Sequence, residues 1–424
     1  MRITLLGIVV FLAAGTALAD GSSHLDELAA STGKDAAALV KLGDLYVEAM
    51  RLSEAKKAYK SALRLEKKFG EAQFGMARIH MAKRKFKPAK NACRKVAKVH
   101  KNSSVGDVCS GWFWISNDRS ARAIDEFQKA LQKGDMARGK TGMGEALRRR
   151  GDYDDAINAY KEAIAAGAGY IAHIGLGIAL EINEDRAGAT KAFEKAVSMQ
   201  PASCQAQFNY GRMLEPGPKA VSHLEAALLI RAGWLKAYVA LGDVHIATGN
   251  FQGAVKAFQG AITSKAGRGV AFFGLGRAFH MMGKNKKALE ALNKTIELIP
   301  NHMGAHLLIA KIQYELGETQ VAIDALENAR TAAPGDVKVY LRSGEIYYRM
   351  ERYTSARSFL NQAVSMNNKL SRAHVLLGNI ACERRLYPAG RQHYKRALEG
   401  NMIKVTKAEI TKLDQECKPK KKKK

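Results

Sequence analysis

Between Gly269 and His302 the apolar positions fall into two helical runs. Phe272, Leu275 and Phe279 recur at helical spacing, Gly283 marks a turn, and Ala288, Leu292 and Ile296 resume the pattern before Pro300. The pattern predicts two antiparallel helices, neither able to bury its apolar face alone. Gly276 and Ala288 are small where larger side chains would hold the helices apart. The unit can be laid down about eleven times at a period near 34 residues, from Ala36 to about Lys404, so the core is expected to run as a ribbon through stacked units.

The copies share residue types as well as period. Ala36 to Phe69 carries Leu42-Gly43, Tyr46, Ala55, Tyr59 and Ala62; Tyr170 to Ser203 carries Leu176-Gly177, Leu180, Ala189, Phe193, Ala196 and Pro201. Leu235 to Arg268 carries Tyr238, Leu241-Gly242, Gly249, Ala254, Phe258 and Ala261. Four copies match less well, among them Ser104 to Asp135, which keeps Gly111, Trp114, Ala123, Phe127 and Ala130. Gly70 to Ser103 has Cys93 at the aromatic position, and Ser371 to Lys404 has Gly390 where the others have alanine. In Cys204 to Trp234 the central turn is compressed by Glu215-Pro216-Gly217-Pro218, a loop variant and a place where superhelical pitch could change. Period and pattern resemble the tetratricopeptide repeat family, which asks for Leu-Gly at positions 7 and 8, Gly at 15, Ala at 20, an aromatic at 24, Ala at 27 and Pro at 32. The resemblance implies an all-α fold, a right-handed superhelical solenoid of stacked antiparallel helix pairs.

Residues 1–19 differ: Arg2, an apolar run from Ile3 to Ala14, then Ala17-Leu18-Ala19 form a signal-peptide pattern, too short to span a membrane comfortably. Residues 20–35 read as a polar lead, the solenoid occupies 36–404, residues 405–417 read as a capping helix, and Lys418 to Lys424 as a disordered lysine tail. The expected location is outside the cytoplasm, periplasmic or secreted, in a bacterium. Five cysteines are too few for a disulfide scaffold, but the register puts Cys93 and Cys109 on adjacent helices and lets Cys382 meet Cys417 if the terminal helix folds back, leaving Cys204 alone.

The formal charge of +28 favours anionic partners, either acidic proteins or an anionic polymer or membrane surface; given export, nucleic acid is not the expected one. Catalytic chemistry is not expected. Gly134 to Thr141, GDMARGKT, matches a phosphate-loop pattern but follows a helical run instead of a strand, and His302 with His306 lacks a third metal ligand. No cofactor or metal is predicted.

The resemblance further implies that first helices line a concave groove. There Phe74, Arg78, Trp112, Arg148, Arg149, Phe208, Arg212, Phe273, Arg277, Lys311, Tyr314 and Tyr348 would meet a peptide or helix with acidic and apolar groups. The expected function is an exported scaffold or adaptor in cell-envelope assembly or secretion. Electrostatic attachment through the basic face and lysine tail is the alternative.

Overall fold

The computed structural model describes residues 24–263, 267–401 and 406–418. The signal-like residues 1–19 and the lysines after Lys418 lie outside them. Among the described residues the chain is all-α, with 24 helices and no strand.

In the first unit, which ends at Gly249, the helices are α1 (His24–Ser31), α2 (Ala36–Glu48), α3 (Leu52–Leu65), α4 (Gly70–Ala82), α5 (Phe86–Val99), α6 (Val105–Ser116) and α7 (Ser120–Gln132). They continue with α8 (Met136–Arg150), α9 (Tyr153–Ala165), α10 (Tyr170–Ile182), α11 (Arg186–Met199), α12 (Cys204–Met213), α13 (Pro218–Ile230) and α14 (Leu235–Ala247). The second unit begins at Asn250 with α15 (Phe251–Ile262), α16 (Arg268–Met281), α17 (Asn285–Leu298), α18 (Met303–Glu315) and α19 (Thr319–Ala332). Then follow α20 (Val337–Arg349), α21 (Tyr353–Met366), α22 (Ser371–Glu383), α23 (Tyr387–Glu399) and α24 (Lys407–Glu416). Helices pair along the chain, α2 with α3 through α12 with α13 in the first unit and α16 with α17 through α22 with α23 in the second. The polar lead contains a helix: Leu25 of α1 is fully buried, and α1 packs on α2 and α13.

Each pair closes on an alanine and a ring. Ala55, Ala89, Ala123, Ala156, Ala189, Ala254, Ala288, Ala322 and Ala356, all at repeat position 20, are fully buried. At position 24, Tyr59, Phe127, Tyr160, Phe193 and Phe258 are equally inaccessible, and burying such a side chain stabilises by about 1.5–3 kcal/mol.

Glycine makes room for the rings. A Cβ at Gly43 would lie 2.5 Å from the Tyr59 ring, and one at Gly75, in the next repeat's first helix, would run into the same ring. Phe127 sits in the same way between Gly111 and Gly142, and Tyr160 between Gly144 and Gly175. One aromatic side chain therefore ties its own helix to two others. Toward the C-terminus the sizes are redistributed: Leu292 and Leu360 replace the ring, and Leu308 and Leu376 stand where the earlier repeats have the second glycine.

Two of the departures, at Cys93 and Gly390, follow from this packing. Cys93 occupies the ring position of its repeat and is disulfide-bonded to Cys109, which occupies the facing glycine position of the next repeat, with Cα atoms 5.3 Å apart. A covalent link thus stands where neighbouring repeats use ring and glycine. The second disulfide, Cys382 to Cys417, has Cα atoms 5.5 Å apart and ties the C-terminus of α24 to α22. A Cβ at Gly390 would come within 2.8 Å of the Cys417 sulfur and also strike that of Cys382, so the disulfide fills the space of the usual alanine methyl. Cys204 is free and buried.

Except between α12 and α13, where Glu215-Pro216-Gly217-Pro218 intervenes, the turn between paired helices takes a left-handed residue. Gly151 adopts φ +98° there, but Glu351 is held at +58° at the same position, at a cost of about 1–2 kcal/mol for a residue with a Cβ.

Two tests follow. Phe127→Leu combined with Gly142→Leu is expected to recover much of the loss of the single variants, with a coupling energy of about 1 kcal/mol or more in urea unfolding; strict additivity would exclude the size-exchange account. Gly390→Ala, which ordinarily stabilises a helix interior by about 1 kcal/mol, is expected instead to lower the melting temperature of the oxidised protein and to raise the fraction of free Cys382 and Cys417 thiols.

Candidate binding face

Successive first helices touch one another, α2 with α4, α4 with α6, α6 with α8, α8 with α10 and α10 with α12. In the second unit α16 meets α18, α18 meets α20 and α20 meets α22. Second helices are wedged between consecutive first helices. The first-helix rows are therefore the inner side of each unit, where the sequence places the candidate residues.

In the first unit those residues are largely engaged with one another. Arg78 pairs with Asp44 at 2.5 Å and lies 6.0 Å from the centre of the Phe74 ring; the Tyr59 hydroxyl donates to the same carboxylate at 2.5 Å. Trp112 is half-buried, edge-on to Phe127 at 6.0 Å. Arg148 and Arg149 both donate to Glu145, and Arg149 also reaches Asp118 of the preceding repeat. Arg212 grips Glu181 of the preceding first helix through two 2.5 Å bonds, between the rings of Phe193 and Phe208, and Phe208 packs 4.6 Å from Trp234.

These contacts have a common logic. Tyrosine at position 24 brings a hydroxyl into the core, and position 9 of the first helix supplies its acceptor: Asp44 for Tyr59, Glu145 for Tyr160, Asn379 for Tyr394. A buried hydroxyl without that partner would cost about 1–3 kcal/mol. Part of the polar pattern along the inner face is thus needed by the core.

The first unit also closes on itself. The Glu48 carboxylate, at the end of α2, accepts hydrogen bonds from Ser203 Oγ at 2.6 Å, from the Gln205 amide at 2.7 Å and from Tyr170 Oη at 3.2 Å. Ser203 and Gln205 begin α12, whose N-terminal dipole favours an anion. One apolar cluster joins Leu25, Val40, Leu45 and Tyr59 to Ala202, Cys204 and Ile230, with Tyr170 and Trp234 packed against it. The first repeat therefore lies against elements far along the chain. Burial pushes the Glu48 carboxyl above its ordinary range, while the bonds from Gln205, Ser203 and Tyr170 pull it partly back. No local signal in the sequence announces this contact, since its partners lie 122 to 157 residues away. Helix α1, by contrast, was readable from the spacing of Leu25, Leu28 and Ala29.

The inner row of the second unit makes internal contacts of its own. Phe273 and Arg277 stack on α16, with the centres of the Phe273 and His302 rings 4.5 Å apart. Lys311 reaches Glu315 at 3.7 Å and His280 at 3.1 Å. Tyr314 donates to the Arg349 carbonyl at 2.8 Å, and Tyr348 accepts from Asn379 at 3.3 Å; both rings remain half-buried.

The chemical motifs resolve into structure. Lys140 lies inside α8, paired with Glu162 at 2.5 Å, and the Thr141 hydroxyl donates to the Ala137 carbonyl. His302 caps α18 by accepting from the Ala305 amide, and His306 contacts the Pro300 carbonyl. Among the described residues no group of three or more His, Cys, Asp or Glu is arranged to hold a metal ion.

Models of the tetratricopeptide repeat match residues 36–69, 141–203 and 313–380, and a model of anaphase-promoting complex (cyclosome) subunit 3 matches residues 247–329. Yeast Tom70 is similar in fold, with a TM-score of 0.53 and 12% identity over 90% of this chain and 95% of that one. A tetratricopeptide repeat protein from Parabacteroides merdae gives a TM-score of 0.48 at 15% identity, over 58% of this chain and 98% of that one. No curated protein matches the sequence.

Glu48→Ala is expected to destabilise by about 2 kcal/mol or more, because it leaves the Ser203, Gln205 and Tyr170 donors without their acceptor. Since folding raises the Glu48 pKa above 4.5, its contribution is full below about pH 4.5 and declines as pH rises through the folded value. Urea unfolding of both chains across that range checks sign and size; a penalty that grows with pH would contradict the assignment.

Proposed function

Since the chain carries tetratricopeptide repeats, we propose that it is a non-catalytic scaffold that holds a protein partner against the first-helix face of its second unit. The observation that carries this reading is the recurrence of half-buried aromatic and cationic groups on successive first helices of the second unit. In the first unit Arg78, Arg148 and Arg212 are each closed by a carboxylate of the chain itself, and the first repeat lies against α12. In the second, Phe273, Lys311, Tyr314 and Tyr348 recur on successive first helices as half-buried aromatic and cationic groups. Such groups suit an extended or helical segment with alternating acidic and apolar side chains. The signal-like residues 1–19 and the two disulfides support a place outside the cytoplasm, and we assign the scaffold to envelope assembly or secretion.

A second reading is electrostatic attachment of the protein to an anionic surface. It is supported by the net charge of +28 and by the uneven distribution of that charge along the chain.

The scaffold reading is tested by capture from envelope extract with the full chain, washed at moderate salt. A discrete retained protein should bind at least about tenfold more weakly to Tyr314→Ala/Tyr348→Ala, since truncating an aromatic anchor typically costs over 1 kcal/mol, and should bind equally well to Trp112→Ala. Equal retention by the double variant would remove the second unit's face as the binding site.

A further inference from the structure

Nearly half of the net charge falls in the first two repeats. Between Ala36 and Ser103 there are eighteen Lys and Arg against five Asp and Glu. Four of those five acids are held elsewhere: Asp44 by Arg78 and Tyr59, Glu48 by the start of α12, Glu54 by Arg51, and Glu71 by Arg138 of α8. Only Glu66 is left, in the exposed turn after α3.

The outer helices of these repeats are consequently unopposed. Lys56, Lys57, Lys60 and Arg64 are exposed on α3, and Lys87, Arg94, Lys95 and Lys98 on α5, a helix that contains no acid. Among the described residues no carboxylate pairs with any of these eight. The next repeat differs, because there Lys129 pairs with Glu126 and Lys133 with Asp107. The field converges between the two helices: after its own burial, His80 of α4 is pushed below its ordinary range by Lys83, Lys85 and Lys56.

Apolar side chains stand in this field. Leu65 ends α3 and Val99 ends α5, one period apart, and they are 49% and 44% exposed. Arg64, Lys67 and Lys68 flank the first in sequence, and Lys98 and Lys101 the second. A highly charged polymer gains little from exposed aliphatic groups, whereas a lipid interface takes both kinds, with long cationic side chains at the headgroups and aliphatic ones at the acyl boundary.

We propose that the outer face of α3 and α5 docks the protein peripherally on a bilayer surface bearing anionic phosphate headgroups, with Lys60, Arg64, Arg94 and Lys98 over the headgroups and Leu65 and Val99 at the acyl boundary. The proposal rests on the electrostatic reading above and gives it a surface and a ligand. It leaves the inner face of the second unit free for a protein partner.

The test is sedimentation of the full chain with vesicles of phosphatidylcholine alone, or with about one third phosphatidylglycerol, at about 0.1 M salt. Binding is expected only to the anionic vesicles. Lys87→Glu/Arg94→Glu/Lys95→Glu is expected to lower it about a hundredfold or more, at about fivefold for each cation removed. Lys256→Glu/Lys286→Glu/Lys287→Glu, with the same change in net charge on exposed positions of the second unit, is expected to lose far less. Leu65→Ser/Val99→Ser should weaken vesicle binding several-fold and leave heparin binding unchanged. If the glutamate variant unfolds, as judged by circular dichroism, the glutamine version is used, with a smaller but still selective loss expected.

Equal losses in the patch and control variants would overturn the proposed face and leave electrostatic attachment standing, as would loss on removing Lys418–Lys424 alone. Heparin binding with no effect of the Leu65/Val99 pair on vesicles would overturn the lipid assignment in favour of a polyanion. No binding to anionic vesicles would overturn the docking proposal, and no binding to heparin either would overturn the electrostatic reading with it.

Discussion

The fit of one large side chain at repeat position 24 into space left by glycine is the constraint on which the rest of the fold depends. Tyr59, Phe127 and Tyr160 each touch three helices, so a single ring fixes both the pairing within a repeat and the stacking on the next. The total volume of the contact matters more than how it is divided. Leu292 beside Leu308 and Leu360 beside Leu376 fill the same space with two medium side chains, and Cys93 with Cys109 replaces it by a bond. Close-packed interiors permit such exchanges as long as no void or overlap results.

Polar consequences follow from the choice of ring. Phenylalanine needs nothing further, but tyrosine brings a hydroxyl that must be satisfied, and Asp44, Glu145 and Asn379 supply it from the first helix. Asp44 and Glu145 in turn recruit Arg78 and Arg148. Much of the charged pattern of the first unit's inner face is thus explained by the core beneath it. The same face is then closed by Glu48, whose carboxylate takes the position at the α12 N-terminus that an external anion would otherwise find.

Consuming acids internally has an outward effect. With Asp44, Glu48, Glu54 and Glu71 all engaged, the exposed cations Lys56, Lys57, Lys60 and Arg64 of α3 and Lys87, Arg94, Lys95 and Lys98 of α5 pair with no carboxylate among the described residues. The C-terminal end is organised differently: there the Cys382–Cys417 disulfide holds α24 against the last repeat, and Gly390 leaves room for it.

The sequence by itself determined the helical repeat, its register and its small residues, because helix periodicity, turn glycines and the ring at position 24 are local and recur every 34 residues or so. It also contained the departures at Cys93 and Gly390, although their meaning emerged only with the disulfides in place. Tertiary structure alone decided which groups of the chain itself the candidate residues meet. Arg78 and Arg212 carry no local mark of their partners, because ionic contacts depend on what lies across the gap, and Asp44 and Glu181 lie on neighbouring helices. Glu48 is the extreme case: nothing near it in sequence distinguishes it, and its role arises from residues brought to it by accumulated stacking of the intervening repeats.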